Sequence, residues 1–465
     1  MDTPEQISAK KAKLEQLYLG KDIANIPKPA VVLDVSKARR HCSSMLTAIK
    51  ALGVGFRPHI KTHKAIELAK MQIGDDAGDV KLVVSTVAEI EHILPLLKDL
   101  QKEGRRVNVL YGLPLPASQV ERIALIAREL GPDSISFMLD HPSQIDLLRR
   151  FHDVARFPGG AFIKVDTGYH RAGLPPNVLN KNGLVEAITR LHLEGKAVLM
   201  GLYSHSSLSY QSKTPQQAMH NLSKEIQGCI DAVGYNQQYL PTPAFELTIS
   251  VGASPQVTSI QNFVGNDRRG NEAADSLISM IKDISNIETA GIKVSLELHA
   301  GVYSVLDIQQ LATNSRSSMG KFDEEIAISV VAEVVSIYND GERQKPEALV
   351  AVGTLGLGRE PCHSYRGWGI VGSLPTSRKV DFEQRLIVER ISQEHSILSW
   401  DIDNEDKLML QSLQEIPLEV GQYVRIYPNH ACVTGAMYGW YFVVDSSQPD
   451  GATKIVDIWM RALGW

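Results

Sequence analysis

A (β/α)8 barrel of the TIM type followed by an antiparallel β domain is the architecture this sequence predicts, and three observations carry it. Eight short apolar runs recur between residues 54 and 299, with helical stretches separating them. Beyond about residue 305 the texture changes to β-branched runs with no long helix between them. The length, 465 residues, exceeds what one hydrophobic core usually serves, so a large domain with a smaller partner is expected.

In chain order, residues 1–27 read as a polar helix running into the connector Ile26-Pro27-Lys28-Pro29. A strand at 30–34 leads into an amphipathic helix over about 36–52, with Ser36 as its N-cap. Barrel strands are expected at 54–60, 81–84, 107–111, 134–139, 161–165, 197–203, 245–250 and 294–299. Helices fall at 86–97, 116–130, 184–192 and 215–233. Periodicity alone also allows a doubly wound open sheet, but no G-x-G-x-x-G opens a helix after an early strand. Later strands are expected at 325–337, 348–352, 380–388, 421–427 and 441–444, with polar, glycine-containing loops at 265–276 and 340–347. The division that follows is 1–29 as a helix and connector packing with the β domain, 30–305 as the barrel and 306–465 as the β domain.

Composition excludes some function classes. The chain is 43% hydrophobic and 22% charged with a net charge of −5, which argues against nucleic acid as a main partner. No apolar run reaches the roughly 18 to 20 residues that span a bilayer, and residues 1–13 are polar rather than signal-like, so an intracellular, cytoplasmic protein is expected. Cys42, Cys229, Cys362 and Cys432 show no paired spacing, and reduced thiols are expected.

The chemistry centres on Arg57-Pro58-His59-Ile60-Lys61-Thr62-His63-Lys64, which places a lysine between a short apolar strand and a helical run. A lysine at a strand's C-terminal end faces the usual mouth of a barrel site, and an amine with a lowered pKa is a nucleophile at neutral pH. A basic surface turn explains the same eight residues equally well. Asp166-Thr167-Gly168-Tyr169-His170-Arg171-Ala172-Gly173 follows the fifth strand and offers Arg171 as a fixed cation, or is an ordinary surface loop. Tyr203-Ser204-His205 ends the sixth strand, where a phenol and an imidazole suit a ring-shaped ligand or a satisfied strand end. Ser250-Val251-Gly252-Ala253-Ser254-Pro255 reads as a phosphate cradle at a helix start or as a Gly-Pro turn. In Pro428-Asn429-His430-Ala431-Cys432, an imidazole and a thiol two apart would share one side of a strand and suit zinc, although H-x-C is common by chance.

Taken together these segments resemble the D-serine dehydratase and D-threonine aldolase group of pyridoxal-phosphate enzymes, related to the alanine racemase barrel and termed fold type III. The octapeptide resembles the group's cofactor-lysine segment, and 166–173 its D-T-G-x-x-R-x-G. Tyr203 and His205 match a Tyr-x-His, with Ser206-Ser207 where Cys-Gly is usual. Residues 250–255 resemble V-G-S-T-P, and Glu297-Leu298-His299-Ala300-Gly301-Val302-Tyr303 resembles E-x-x-P-G-x-Y. Pro428 to Cys432 match the P-N-H-x-C zinc segment of eukaryotic D-serine dehydratases, whereas D-threonine aldolases present Asp at the place of Cys432. Glu394-His395 and Gly367-Trp368-Gly369 also resemble group segments, while Val352-Gly353-Thr354-Leu355-Gly356-Leu357-Gly358 departs from D-A-G-x-K-A-L.

The resemblance implies a lyase that converts D-serine to pyruvate and ammonia. It implies pyridoxal 5'-phosphate on Lys61, with Lys61 as the base at Cα, and cofactor contacts from His59, Arg171, Tyr203, His205, Gly252, Ser254, Gly301 and Tyr303. Zn2+ on His430 and Cys432 would polarise the β-hydroxyl. A small D-amino acid as substrate and a homodimer are further implications. No segment resembles the second-base tyrosine of racemases. The same residues also suit D-threonine aldolase or D-threo-3-hydroxyaspartate dehydratase, and a non-enzymatic pyridoxal-phosphate-binding protein would lack the β domain and the His-Cys pair.

Overall fold

A computed structural model describes residues 3–241, 245–264, 272–284, 288–289, 292–374, 384–402 and 413–465. The chain divides into two compact units. One comprises residues 42–303, 313–318 and 464–465, and the other comprises 1–41, 304–312 and 319–463.

The first of these units is the barrel. Its parallel strands are Gly55–Phe56, Val80–Val84, Val107–Pro114, Ile135–Leu139, Gly159–Val165, Ala197–Ser204, Phe245–Val251 and Ile292–Leu298, paired in a ring with the eighth beside the first. The ring closes through a parallel bridge between His59 and Val83. Around it the Val83 amide donates to the Pro58 carbonyl at 2.9 Å, and the Ile60 amide to the Val83 carbonyl at 3.1 Å. All five residues of the fourth strand and all seven of the fifth are buried, as expected for a parallel sheet covered on both faces. Val83, Leu110, Met138, Phe162 and Tyr203 pack together inside the ring. Helices such as Val87–Lys102, Val120–Leu130 and Pro215–Asn236 alternate with the strands, and the closure of the ring excludes the open, doubly wound alternative.

The other unit is built on a nine-stranded sheet. Six antiparallel strands, Glu347–Val350, Ser396–Trp400, Leu386–Ile391, Gly369–Ser373, Tyr423–Pro428 and Ile328–Tyr338, close on themselves because the first also pairs with the last. Val330, Val350, Leu398, Trp400 and Ile426 are among the side chains buried within. The sheet continues through Ala30–Asp34, Trp440–Val444 and Asp457–Met460. The helix Pro4–Tyr18 sets Ile7, Leu14 and Tyr18 against Phe442 and Ile458.

Several expectations change here. The strand at 30–34, counted with the barrel, pairs antiparallel with Ile328–Tyr338 and parallel with Trp440–Val444 in the other sheet. A pentad buried on both faces fits either sheet, so its sequence does not say which. The helix after it is Val35–Leu52, and the Asp34 carboxylate, rather than Ser36, accepts the amide at its start, from Ser36 at 3.2 Å. Of the strand expected at 380–388, residues 380–383 lie outside the described residues and the strand runs Leu386–Ile391. The loop expected at 265–276 is described only from residue 272, where the helix Glu272–Ile284 begins. Among the described residues no helix is long and apolar enough to cross a membrane.

Candidate functional site

At the C-terminal ends of the barrel strands the chain gathers imidazoles, lysines and a tyrosine. After the first strand the backbone turns sharply, and the Lys61 amide donates to His59 Nδ1 at 3.3 Å while the Ser85 hydroxyl meets His59 Nε2 at 3.3 Å. Lys61 is half-buried in that turn, and its charge acts on both His59 and His205. The rings of Tyr203 and His299 stack with centroids 4.2 Å apart and planes within 6°, and His205 follows at 5.6 Å from His299. His205 Nδ1 lies 2.6 Å from the Gly252 carbonyl. A carbonyl only accepts, so that nitrogen carries the proton and Nε2 is left as the acceptor.

Burial and neighbouring cations keep these imidazoles neutral. Burial pushes His59 well below the usual histidine range, helped by the Lys61 and His299 charges. His205 is depressed likewise by burial, then by His299, Lys61, Arg171 and Lys164. His299 falls to about 3 because burial, Lys164 and Arg57 together outweigh Glu297. Burial raises the Tyr203 phenol, which therefore stays protonated and able to donate.

The remaining expected residues divide. Gly252 has φ +145°, and a Cβ there would lie 2.3 Å from the His299 carbonyl oxygen, so only glycine fits. The Ser254 hydroxyl accepts the Gly301 amide at 3.1 Å, tying the loops after the seventh and eighth strands together. Arg171 is exposed, its guanidinium 5.4 Å from the Tyr169 ring, on a loop shaped by Asp166, whose Oδ1 accepts the Gly168 and His170 amides at 3.0 Å. Tyr303 lies apart from the stacked rings, edge-on to Phe56 at 5.8 Å and beside Cys42.

Three members of this cluster were not singled out from the sequence. Lys164, on the fifth strand, is buried, and its ammonium donates to the Val165 carbonyl at 3.0 Å, 5.7 Å from the Tyr203 ring centroid. Burial lowers its pKa against the opposing pull of Glu225. Glu225, buried in the helix Pro215–Asn236 and raised by that burial, accepts from the Ser204 hydroxyl at 2.8 Å and from the Gln256 amide. His299 is the third. Beneath the cluster, Glu297 accepts from Arg57 Nε at 2.7 Å and Lys81 at 2.9 Å; burial would raise it, but these two cations hold it at about 2.

These groups fit a phosphorylated aromatic aldehyde. His299 Nε2 is buried without a hydrogen-bond partner among the described residues, which in a native protein points to a missing partner. The Gly252 position has no room for a side chain, and Lys61 supplies a primary amine within the field of two neutral imidazoles.

In the other unit, Tyr423–Pro428 ends just before the His-Cys pair, which is therefore not on a strand. His430 is the N-cap of the short helix Ala431–Ala436, and Cys432 is that helix's second residue. Pro428, paired with Gly369, is the ladder's last residue, and the turn that follows replaces a shared strand face with a helix start. The two side chains still meet. Burial opposes charge on His430, but a hydrogen bond with Cys432 and the charges of Cys432, Asp307 and Glu360 raise it to about 9. Its Nδ1 is buried without a hydrogen bond among the described residues, 3.8 Å from a Glu360 oxygen. No cluster of three or more His, Cys, Asp or Glu side chains suited to a metal is present among the described residues. An imidazole and a thiol with carboxylates behind them nonetheless fit a two-ligand zinc site whose other positions are left to water and substrate. The 353–358 loop also finds a place here, because Leu357 accepts the Thr434 hydroxyl at 2.6 Å.

Comparison with known proteins agrees with this division. Residues 33–260 match the family described as alanine racemase, N-terminal domain, and residues 327–444 the putative serine dehydratase domain. The chain is 32% identical to a D-serine dehydratase of Schizosaccharomyces pombe, over 99% of this chain and 97% of that protein. A D-serine dehydratase of Saccharomyces cerevisiae is 27% identical, over 96% and 98% of the two chains. A D-threo-3-hydroxyaspartate dehydratase of Delftia is 26% identical, over 94% and 97%. The solved structure of that enzyme superposes with a TM-score of 0.69 at 23% identity, over 96% of this chain and 100% of that one, and a variant of it in the metal-free form with 0.68. At that identity the likeness speaks for the fold.

Proposed function

The chain belongs to the D-serine dehydratase family, and we propose that it eliminates water from D-serine to give pyruvate and ammonia, using pyridoxal 5'-phosphate on Lys61 and zinc on His430 and Cys432. The observation that carries this reading is the 32% identity with a D-serine dehydratase over nearly the whole of both chains. The lysine within a field of neutral imidazoles and the imidazole-thiol pair support it independently.

Bound pyridoxal phosphate supplies an electron sink for the pair left at Cα when its proton departs. Bound zinc supplies Lewis acidity toward a β-hydroxyl, easing departure of hydroxide. The chain's own residues do the rest. The Lys61 amine takes the Cα proton from one face, so one enantiomer reacts. Neutral His59, His205 and His299 would hold the cofactor through hydrogen bonds without adding positive charge beside it. The flat Tyr203–His299 stack is a wall for an aromatic ring, and Arg171 brings a permanent cation to the rim. The water lost from Cβ is regained when the nitrogen leaves as ammonia, so D-serine balances pyruvate plus ammonia.

The 26% identity with a D-threo-3-hydroxyaspartate dehydratase favours one second reading, the same elimination on a substrate with another carboxylate. Purified protein is incubated separately with D-serine, D-threonine and D-threo-3-hydroxyaspartate, with and without a chelator. Pyruvate from D-serine that stops on chelation is expected. Oxaloacetate from hydroxyaspartate at a far higher kcat/KM would replace the first reading with the second, and no keto acid from any of the three would remove both.

A further inference from the structure

Asp307 lies on the 304–312 segment that belongs to the same unit as the His-Cys pair, and it is 1% exposed. Its Oδ2 accepts the Ala431 amide at 2.8 Å, and Ala431 is the residue between the two expected ligands. Its Oδ1 accepts the Gln310 amide at 2.8 Å, capping the helix Ile308–Ala312. Two residues further on, the Gln309 amide donates to the Asn429 carbonyl at 3.1 Å. The backbone is therefore tied to the 307–309 turn on both sides of His430. Leu306, immediately before, adopts φ +54° while buried, a conformation that costs a branched residue about 1 kcal/mol and that the surrounding contacts must impose.

We propose that Asp307 is the positioning residue of the metal pair: through the Ala431 amide it holds His430 and Cys432 in register for one ion. This rests on the zinc reading given above. It differs from a plain helix-capping role in that metal affinity and geometry, rather than stability alone, depend on it.

The test uses the full-length protein carrying its cofactor. Asp307→Asn keeps the shape but turns one of the two acceptor oxygens into a donor facing an N–H, and Asp307→Ala removes both. Zinc affinity is measured by competition with a chromogenic chelator, and geometry by the ligand-field absorption of the cobalt(II)-substituted protein. Zinc held roughly 10- to 100-fold more weakly, with an altered cobalt band and an unchanged visible cofactor absorption, is expected. Zinc affinity within two-fold of the parent, with an unchanged cobalt band, overturns the assignment. If Asp307→Ala does not fold, Asp307→Asn alone decides by the same readouts. Cys432→Ala separates the two claims: zinc lost there but kept in the Asp307 variants sinks only the positioning role, whereas zinc bound undiminished without Cys432 sinks the metal reading beneath it.

Discussion

His299 in the barrel and His430 in the β unit carry the same imidazole and are displaced in opposite directions, to about 3 and to about 9. Both are mostly buried, so desolvation disfavours charge in each. The neighbours decide the sign. Around His299 lie Lys164 and Arg57, with Lys61 and Arg171 acting on its companion His205, and these cations add to desolvation. Around His430 lie a thiol, Asp307 and Glu360, which outweigh it. On the proposed reading, the cations at the barrel mouth suit an electron-rich, anionic ligand and the acidic groups after Pro428 suit a cation.

Removing the amine tests the barrel half most severely. Lys61→Ala should abolish the visible absorption of bound cofactor and lower turnover of D-serine by about 10³-fold or more, because covalent tether and base are lost together. Lys164→Met in the same assay should leave that absorption in place; if instead Lys164 proves to be the tether, the reading of the octapeptide is wrong. On the other side of the comparison, Cys432→Ala should lower D-serine turnover by roughly 100-fold or more while the visible absorption persists. Loss of cofactor and metal together would show that the two regions do not act as separate binding units.

A stability measurement sharpens the barrel half. Glu297, held at about 2 by Arg57 and Lys81, lies below its unfolded value of 4.5. Its stabilising contribution is therefore present above pH 4.5 and lost as the pH falls toward 2, and amounts to about 3 kcal/mol at neutral pH. Glu297→Gln leaves two cations uncompensated in the barrel and should cost about 3 to 5 kcal/mol in urea unfolding at pH 7. Its unfolding free energy should also no longer fall between pH 4.5 and 2 on account of this group. A parent-like slope in that interval would place the acid sensitivity elsewhere.

Much of the barrel is legible in the sequence because each strand is a short apolar run with a helix behind it, so all eight strands are found from periodicity. The strand Ala30–Asp34 is legible as a strand but its sheet is not, because five buried residues carry no mark of the sheet they join. Ser396–Trp400 and Asp457–Met460 are short and follow polar stretches, which leaves them without a pattern of their own. In the site, Lys61 and the His430–Cys432 pair are visible as residue types in sequence. Lys164, Glu225 and His299 are not: they come from the fifth strand, a helix and the end of the eighth strand, and only the closed ring brings their charges within reach of one another. Asp307 reads as an ordinary cap of a short helix, which it is, and its second bond to Ala431 links positions 124 residues apart.

The smallest expected effect concerns how firmly the segment proposed to hold zinc is fixed from the side away from Asp307. Thr434 is fully buried, and its hydroxyl donates to the Leu357 carbonyl at 2.6 Å, joining the helix Ala431–Ala436 to the 353–358 loop. Thr434→Val keeps the shape and removes the donor, leaving a buried carbonyl short of a partner, at a cost of about 1 to 2 kcal/mol in unfolding. If Asp307 and Asn429 set the position of His430, zinc affinity of this variant should stay within about two-fold of the parent despite the lower stability, because neither the Ala431 amide nor the Asn429 carbonyl is touched. A zinc affinity that falls with stability would mean that the whole helix, rather than its first turn, positions the ligands. The contrast between the two histidines would then rest on packing as much as on charge.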